Sequence, residues 1–374
     1  MSILVDANLI REIRSYGAFD ISACFQCGNC SAVCPLSAGE ASFPRKMIRL
    51  GQLGMEDELL SRQEMWLCYN CGECTSTCPR QAGPGEYMAA LRRWAVGRFE
   101  STGLSAWMFR SPVAALAGTL GLALVLAGLL LTARPHHDFP DWIFKLVPYD
   151  AIHLVGMVLG GVLALGLGAS VLRFVLRALK ARPGLLKKGW KEHRAAALAL
   201  HHELWTMRRQ RPEAGQGSWN SPWAVHLAVL FGFFGLLAAT TSDFLFIFLL
   251  GTKIYWPARV LGTVSGLALM AGVSAAILRR WRGADAGVRH SHLSDWWLLA
   301  FLWVLGFTGF WLEAAVTFRW TAPLHSWVLL LHTVMAMELV LLAGSTKLAH
   351  AFYRPLSLYF HFLSGGESPS RPCA

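Results

Sequence analysis

The chain has 374 residues, of which 54% are hydrophobic, and a formal net charge of +11. Its mean hydropathy of +0.41 excludes an ordinary soluble protein, and its length allows two domains. Residues 1–100 hold 10 basic and 11 acidic residues and the rest of the chain holds 24 and 12, so the excess positive charge lies in the apolar part. This distribution indicates membrane topology and excludes a nucleic-acid-binding protein.

The N-terminal residues 1–103 are predicted to form a small cytoplasmic domain. The first segment, MSILVDANLIREIRSYG, has no basic region followed by an apolar run, so we expect no signal peptide. Eight of the nine cysteines fall between Cys24 and Cys78, while Cys373 is interpreted as an incidental thiol of the tail. In a reducing compartment such a cluster of cysteines favours metal binding over disulfides.

Two cysteine runs of this domain share the pattern C-x2-C-x2-C-x3-C-P. In this pattern three cysteines bind one [4Fe–4S] cluster, and the fourth, before the proline, binds the other cluster. Zinc and disulfides are the alternatives, and both fit a duplicated four-cysteine run with a trailing proline poorly. The sequence therefore predicts two [4Fe–4S] clusters, one held by Cys24, Cys27, Cys30 and Cys78 and the other by Cys68, Cys71, Cys74 and Cys34.

Six hydrophobic segments follow, each near the length of about 20 residues that spans a bilayer. We place them at about 112–133, 149–176, 222–242, 259–279, 295–317 and 324–349. The connections around 173–211 and 279–289 are rich in lysine and arginine, whereas the opposite connections hold few. By the positive-inside rule the basic connections and both termini are predicted to be cytoplasmic.

Histidines within the spans are candidate haem ligands, because polar groups in hydrocarbon are costly. His226, one turn into the third span, and His350, at the end of the sixth, lie at matching depth, which predicts a haem b between them. His332 precedes His350 by 18 residues, so on one continuous helix both share a face and lie about 27 Å apart. That arrangement predicts a second haem on His332. His153 is its candidate partner, with an interfacial histidine as the alternative reading.

Glu338 lies between the two predicted ligands of the sixth span. A carboxyl group inside a span is a candidate proton relay or quinone contact. The alternative is a hydrogen bond between helices.

Beyond these patterns, the chain resembles known families. The N-terminal 100 residues resemble the C subunits of heterodisulfide reductases, through both cysteine runs, the Phe-Pro-Arg-Lys-Met-Ile-Arg-Leu-Gly stretch at 43–51 and the Glu-Met-Trp-Leu-Cys-Tyr-Asn-Cys approach to the second run. The membrane half is similar to the cytochrome b subunits of heterodisulfide reductases and respiratory nitrate reductases, through the span that opens with His226 and the His332–x17–His350-Ala-Phe-Tyr-Arg-Pro segment. The fusion of the two halves resembles the C subunits of quinone-interacting membrane-bound oxidoreductases (Qmo).

The resemblance implies a mostly α fold: a dicluster ferredoxin-like domain, a six-helix cytochrome b bundle over 104–364 and a tail over 365–374. It implies a subunit that passes electrons between quinone, haem b and the clusters, with flavoprotein partners like heterodisulfide reductase A and with adenylylsulfate reductase beyond them. Leu236 stands where nitrate-reductase-like cytochromes carry a second histidine in the third span, so a second haem would need another ligand here. The alternatives are a subunit of thiol–disulfide or sulfite-reducing machinery with other partners, and a redox sensor or passive membrane anchor.

Overall fold

A computed structural model describes residues 4–37, 42–133, 142–207, 211 and 219–366. The chain is 74% helical, and the residues described contain no β-strand, which confirms the predicted fold class. Cys373 and most of the predicted tail lie outside the described residues.

The N-terminal domain consists of short helices around the cysteine loops and one long helix, α7. Its seven helices are α1 (Leu9–Arg14), α2 (Asn29–Ala32), α3 (Arg45–Gln52), α4 (Glu56–Ser61), α5 (Glu64–Leu67), α6 (Glu73–Ser76) and α7 (Pro84–Phe99), with a 3₁₀ turn at Ile21–Ala23. Helix α7 begins at a proline that follows Gly83, whose φ of +63° suits glycine. Tyr87, Leu91 and Trp94 of α7 are fully buried and form the centre of the domain's core.

Among the described residues, the membrane part contains six helices long and apolar enough to span a bilayer, which agrees with the predicted number. They are α9 (Pro112–Thr132), α10 (Tyr149–Ala181), α12 (Pro222–Asp243, continued by a π-helical turn at Phe244–Leu249), α13 (Trp256–Trp281), α15 (Leu293–Thr317) and α16 (Leu324–Leu341). The connecting and flanking helices are α8 (Leu104–Arg110), α11 (Trp190–Thr206), α14 (Ala286–Arg289) and α17 (His350–Leu363), with 3₁₀ turns at Trp142–Lys145, Leu185–Lys187 and Lys347–Ala349.

Two of these spans start in the same way. Ser111 and Ser221 each precede a proline, and each serine side chain accepts a hydrogen bond of 3.2 Å from a backbone N–H three residues on. A serine N-cap followed by proline at the first helical position satisfies a free N–H and fixes the helix start.

The sixth span differs from its prediction. Helix α16 ends at Leu341, a turn covers 342–346, and α17 begins a separate helix at His350. The expectation of one continuous helix that carries both His332 and His350 is therefore wrong. Gly344 lies beside Leu163 and Leu167 of α10, and Thr346 is extended, so the chain has left the helix before His350.

The two parts of the molecule share one hydrophobic core. Trp66 and Phe99 of the N-terminal domain pack against Phe174 of α10 and Tyr353 of α17, with ring centroids 4.8–6.4 Å apart. We call the membrane-helix ends that face the N-terminal domain the dicluster side. These aromatic side chains are covered by the N-terminal domain on one side and by the membrane helices on the other. Their packing therefore holds α17 between the membrane helices and the cysteine loops.

Candidate metal centres

Both cysteine loops have the same local backbone. Gly28 and Gly72 take φ values of +93° and +87° just before the short helices α2 and α6, and Gln26 and Asn70 are also left-handed. In each loop the backbone N–H two residues after the first cysteine donates to its sulfur at 3.4 Å, Gln26 to Cys24 and Asn70 to Cys68. The sequence repeat is thus also a repeat of backbone conformation. The N–H groups that donate to sulfur stabilise the negative charge of a thiolate.

The fourth cysteine of each run lies with the other run. Cys34 lines one cavity together with Cys68, Cys71 and Cys74. Cys78 lies close enough to Cys30 to act on it electrostatically, as Cys24 and Cys27 do. This grouping is the one that exchange of the fourth ligand between two clusters requires.

The raised pKa values of these thiols are also consistent with ligands of an iron–sulfur cluster. Burial raises the pKa of the Cys34 thiol to about 12, and the neighbouring Cys68 and Cys71 act in the same direction. Burial likewise raises the pKa values of Cys30 and Cys74. Thiolates in such surroundings need nearby positive charge, which the iron atoms of a cluster supply.

A single zinc ion fits the loops less well. Four thiolates around one zinc, at Zn–S distances of about 2.3 Å, must converge tightly on one point. In the described ranges no group of three or more cysteine, histidine or carboxylate side chains converges in that way. The cysteines surround a cavity instead, as thiolates bound to separate irons of a cluster do.

The second cysteine loop faces the membrane part. Asn70 Nδ2 donates to the Gly287 carbonyl at 2.9 Å, in the connection between α13 and α15. Arg354 of α17 donates to the Cys68 carbonyl at 3.0 Å, and its guanidinium stacks on Tyr69, 4.5 Å from the ring centroid. The first loop lies at the surface, where Cys27 is exposed and Phe25 is 71% exposed.

His226 and His350 come together on the dicluster side. Burial lowers the pKa of His350 to about 3, and His226 lies close enough to act in the same direction. His350 Nδ1 lies 2.6 Å from the Lys347 carbonyl, which leaves Nε2 for a ligand, and the buried His226 Nδ1 has no hydrogen-bond partner among the described residues. Two imidazoles, one oriented by a carbonyl and one with a buried unpaired nitrogen, fit the axial positions of a haem.

The other two predicted ligands, His332 and His153, each contact a neighbouring helix. His332 Nδ1 lies 3.0 Å from Thr308 Oγ1 of α15. His153 Nε2 lies 3.4 Å from Asp243 Oδ2, and its ring packs against Tyr149, Phe244 and Phe248. Within the described part of the chain these contacts place His153 beside α12, not beside His332, and a second haem on these two residues stays a prediction.

A cavity lies on the dicluster side, near the break after α16. Met108, Phe109, Ala115, Leu293, Trp297 and Thr346 form part of its wall. Thr346 is 5% exposed, and its hydroxyl has no hydrogen-bond partner among the residues that the structure describes.

Glu338 lies in α16, four residues before Leu342, and is not among the residues that line this cavity. Its backbone carbonyl accepts from Leu342, one turn on, which packs against Met108, Ala115 and Trp297. The side chain is 1% exposed, and its Oε1 has no partner in the described ranges, so the structure provides no hydrogen bond between helices at this atom. A buried carboxyl group inside a span can take up a proton or a polar ligand atom.

Sequence reasoning missed Arg354 and Thr346. Arg354 lies four residues after His350, one helical turn, and that spacing could have placed both on one face. No sequence signal indicated that this face meets the Cys68 loop, because the contact is tertiary.

Comparison with known proteins identifies the N-terminal domain. Residues 20–82 match the 4Fe-4S dicluster domain family, so this part of the chain is an iron–sulfur domain. The match supports iron–sulfur electron transfer as the chemistry of the domain and covers none of the membrane helices.

The similar proteins are C subunits. The C subunit of the H(2):CoB-CoM heterodisulfide,ferredoxin reductase of Methanothermobacter thermautotrophicus is 32% identical over 63 residues, which are 17% of this chain and 34% of that protein. A protein of Archaeoglobus profundus that is similar to heterodisulfide reductase C subunits is 38% identical over 104 residues, 26% of this chain and 54% of that protein. The chain thus spans between about a third and a half of these relatives. No solved structure matches the chain.

Proposed function

We propose that this chain is a membrane electron-transfer subunit that passes electrons between the quinone pool, a haem b and two [4Fe–4S] clusters. One contact carries the proposal: Arg354, one turn after the haem-ligand candidate His350, donates to the carbonyl of the cluster-ligand candidate Cys68. A single helix, α17, therefore spans from the histidine pair to the second cysteine loop. The haem and the clusters, when bound, each carry one electron at a time, and the chain fixes their order in space.

The histidine pair supports the haem part of this proposal. His226 of α12 and His350 of α17 would bind one haem b on the dicluster side, and Lys347 and Arg354 both lie close enough to act electrostatically on His350. Lys347 also pairs with Asp295 of α15, which holds the chain before His350 against the bundle. His332, with His153 as its predicted partner, would serve a second haem nearer the opposite surface.

The cavity near the break after α16 is the proposed quinone site. Its wall is largely apolar, and Thr346 offers an unpaired hydroxyl to a quinone oxygen. Its volume of about 60 Å³ is smaller than that of an ordinary ligand pocket, so side chains of the wall would move apart when a quinone ring enters. Glu338, buried in α16 one turn before Leu342, would accept a proton that quinol releases.

The basic connections between spans lie on the dicluster side, so by the positive-inside rule this side and the clusters would face the cytoplasm. The electron exit would be the first cysteine loop. A groove over this loop is lined by Cys24, Phe25, Arg45, Lys46 and Arg49, and no acidic side chain of the described residues contributes to its wall. A basic rim around an exposed cluster loop suits a soluble redox partner with an acidic surface.

The proposed partners follow from the similarity of the N-terminal domain to heterodisulfide reductase C subunits. We propose a complex with flavoprotein subunits like heterodisulfide reductase A, of the Qmo type, with adenylylsulfate reductase as terminal partner in dissimilatory sulfur metabolism. The enzyme activity then belongs to the complex.

A reconstituted system tests the quinone part. Quinol added anaerobically to the protein in lipid vesicles is expected to reduce the haem, and Glu338→Gln is expected to slow that reduction at least tenfold with an unchanged haem spectrum. The matched control is Glu313→Gln, on the opposite side of the bundle, where Glu313 pairs with Arg259 at 2.7 Å. Equal rates in both variants would remove Glu338 from the site, and no reduction by any quinol would refute quinone dependence.

A further inference from the structure

The two cysteine loops are alike in backbone but differ in the charge of the side chain that holds them. In the first loop, Gln52 Nε2 donates to the carbonyls of Ile21, at 3.3 Å, and Cys24, at 3.4 Å. In the second loop, Arg92 Nη1 donates to the carbonyls of Met65, at 3.2 Å, and Cys68, at 3.4 Å. Ile21 and Met65 are equivalent residues, three before the first cysteine of each run.

The equivalence extends to a third contact. Gln52 Oε1 accepts from the side chain of Gln26 at 2.7 Å, and Arg92 Nη2 donates to the side chain of Asn70 at 3.3 Å. Gln26 and Asn70 also occupy equivalent positions, each two residues after the first cysteine. Gln52 and Arg92 therefore do the same structural task, one as a neutral amide and the other as a cation.

The second loop receives a further cation from the membrane part. Arg354 donates to the Cys68 carbonyl at 3.0 Å, so two guanidinium groups meet at one ligand residue. The opposing carboxylates include Glu73, which lines the cluster cavity, Glu86, which accepts from the Thr75 hydroxyl at 2.6 Å, and Glu203, which accepts from Tyr69 OH at 3.1 Å. At the first loop, Arg45, Lys46 and Arg49 line the groove beside Cys24, and Arg80 lies over the Phe25 ring. Arg45, Arg49 and Arg80 are exposed, so solvent screens their charge.

Reduction of a [4Fe–4S] cluster adds one electron and no proton, so the reduced cluster carries one more negative charge. A cation fixed a few ångströms away stabilises that form, and stabilises it more where solvent is excluded. Burial of the second loop against the membrane helices acts in the opposite direction, because it disfavours added charge.

We propose that Arg92 and Arg354 raise the reduction potential of the cluster bound by Cys68, Cys71, Cys74 and Cys34, whereas Gln52 gives the other cluster no such stabilisation. An electron that leaves the membrane part then rests on the membrane-facing cluster until a partner docks at the first loop. Because Arg354 belongs to α17, the potential of this cluster also depends on the docking of α17. The inference rests on the two clusters of the proposed function and on neither haem nor quinone.

Exchange of the two equivalent residues tests the proposal. Redox titrations followed by EPR on the full-length protein give the midpoint potential of each cluster, and Cys27→Ser and Cys71→Ser assign the two signals. Arg92→Gln is expected to lower the potential of the membrane-facing cluster alone, and Gln52→Arg is expected to raise the potential of the other cluster alone. Arg354→Met is expected to lower the potential of the membrane-facing cluster, and Arg354→Lys, which keeps the charge, is expected to restore most of it.

Unchanged potentials in Arg92→Gln and Arg354→Met, with both clusters assembled, would overturn the proposal, and so would equal shifts of both clusters. If the arginine variants do not assemble their clusters, the Gln52→Arg variant provides the test. An unchanged midpoint potential of the first-loop cluster in that variant would count against the proposal. These titrations use mediators and no quinol. A failure of quinol-driven reduction would therefore leave their result intact and would count against the proposed function alone.

Discussion

At the scale of single residues, His350 is the test of the haem site. Its Nδ1 is held at the Lys347 carbonyl, so only Nε2 is available to iron. His350→Ala is expected to abolish the bis-imidazole haem signal on this side. The measurement is the reduced-minus-oxidised absorption spectrum together with EPR of the oxidised haem.

The matched control for this change is His361→Ala, on the same helix three turns further along. It is expected to keep the full haem spectrum. A bis-imidazole spectrum that survives in His350→Ala would show that the ligand is another histidine.

Cross-ligation of the clusters predicts which pairs of cysteine substitutions act on one cluster. Cys34→Ser combined with Cys71→Ser should damage one cluster and leave the other intact, because both side chains border the same cavity. Cys34→Ser combined with Cys27→Ser should damage both clusters. Iron content and EPR of the reduced proteins distinguish the outcomes, and the opposite pattern would mean that each run binds its own cluster with all four cysteines.

His292 makes stability depend on pH. Burial lowers the pKa of His292 to about 4, Arg93 and Lys347 act in the same direction, and Asp295 opposes them. Because an unfolded histidine has a pKa near 6.5, the unfolded chain binds more protons between about pH 4 and 6.5. Stability from this residue is fully present above pH 6.5 and falls as the pH drops toward 4.

His292→Asn isolates this contribution. His292 caps α15, where its Nδ1 accepts from the Ser294 backbone N–H at 3.2 Å, and asparagine is also a good N-cap. The loss in melting temperature between pH 7 and pH 5 should therefore be smaller in the variant than in the original protein. Equal losses would show that His292 titrates normally.

Sequence alone could predict the roles of residues that belong to a short, recognisable motif. The cysteine runs define their own loops, so spacing alone grouped Cys34 with the second run before the cavity was known. Gln52, Arg92 and Arg354 reach the loops from distant helices, and no local pattern marks such contacts. His332 was placed by a helical period that does not continue past Leu341.

At the scale of elements, the six spans were predictable because length and hydropathy define them. The break after α16 was not predicted, although Gly344, Ser345 and Thr346 are residue types that often follow a helix end, because the apolar length of the segment was used to set its bounds. What ends the helix is packing: Gly344 lies against α10, and Leu342 is buried beside α8 and α9. The separate helix α17 that results is the element that joins the histidine pair to the cysteine loops.

The docking of α17 and α10 on the N-terminal domain can be weakened without changing a metal ligand. Phe174 is 1% exposed and contacts Trp66, Phe99 and Tyr353. Phe174→Ala should destabilise this contact by about 3–5 kcal/mol, as aromatic truncations in cores do. The expected results are faster proteolysis in the connection between α7 and α8 and slower electron transfer from haem to cluster, with an unchanged haem spectrum.

Leu172→Ala is the control on the same helix, since Leu172 is 56% exposed and lies outside this aromatic cluster. It should behave like the original protein. If Phe174→Ala also leaves proteolysis and electron transfer unchanged, the aromatic cluster does not hold the two parts together.

At the scale of the whole molecule, the features lie in one order: the Thr346 cavity, the His226–His350 pair, the Cys68 loop and the exposed Cys27 loop. The contacts of Arg354 and Asn70 connect the membrane part to the second loop, and the first loop is exposed. Such an order suits the transfer of electrons out of the membrane to a soluble partner.

The most direct test of this order is the time course of reduction after the purified, fully loaded protein is mixed rapidly with quinol. The absorption of the haem and the EPR signals of freeze-quenched samples are followed together. Electron flow in this order predicts that haem reduction comes first and that cluster reduction follows at a rate that Phe174→Ala slows. This order of electron flow would be contradicted if quinol reduced the haem while the clusters stayed oxidised, in protein whose clusters a reductant of lower potential can reduce.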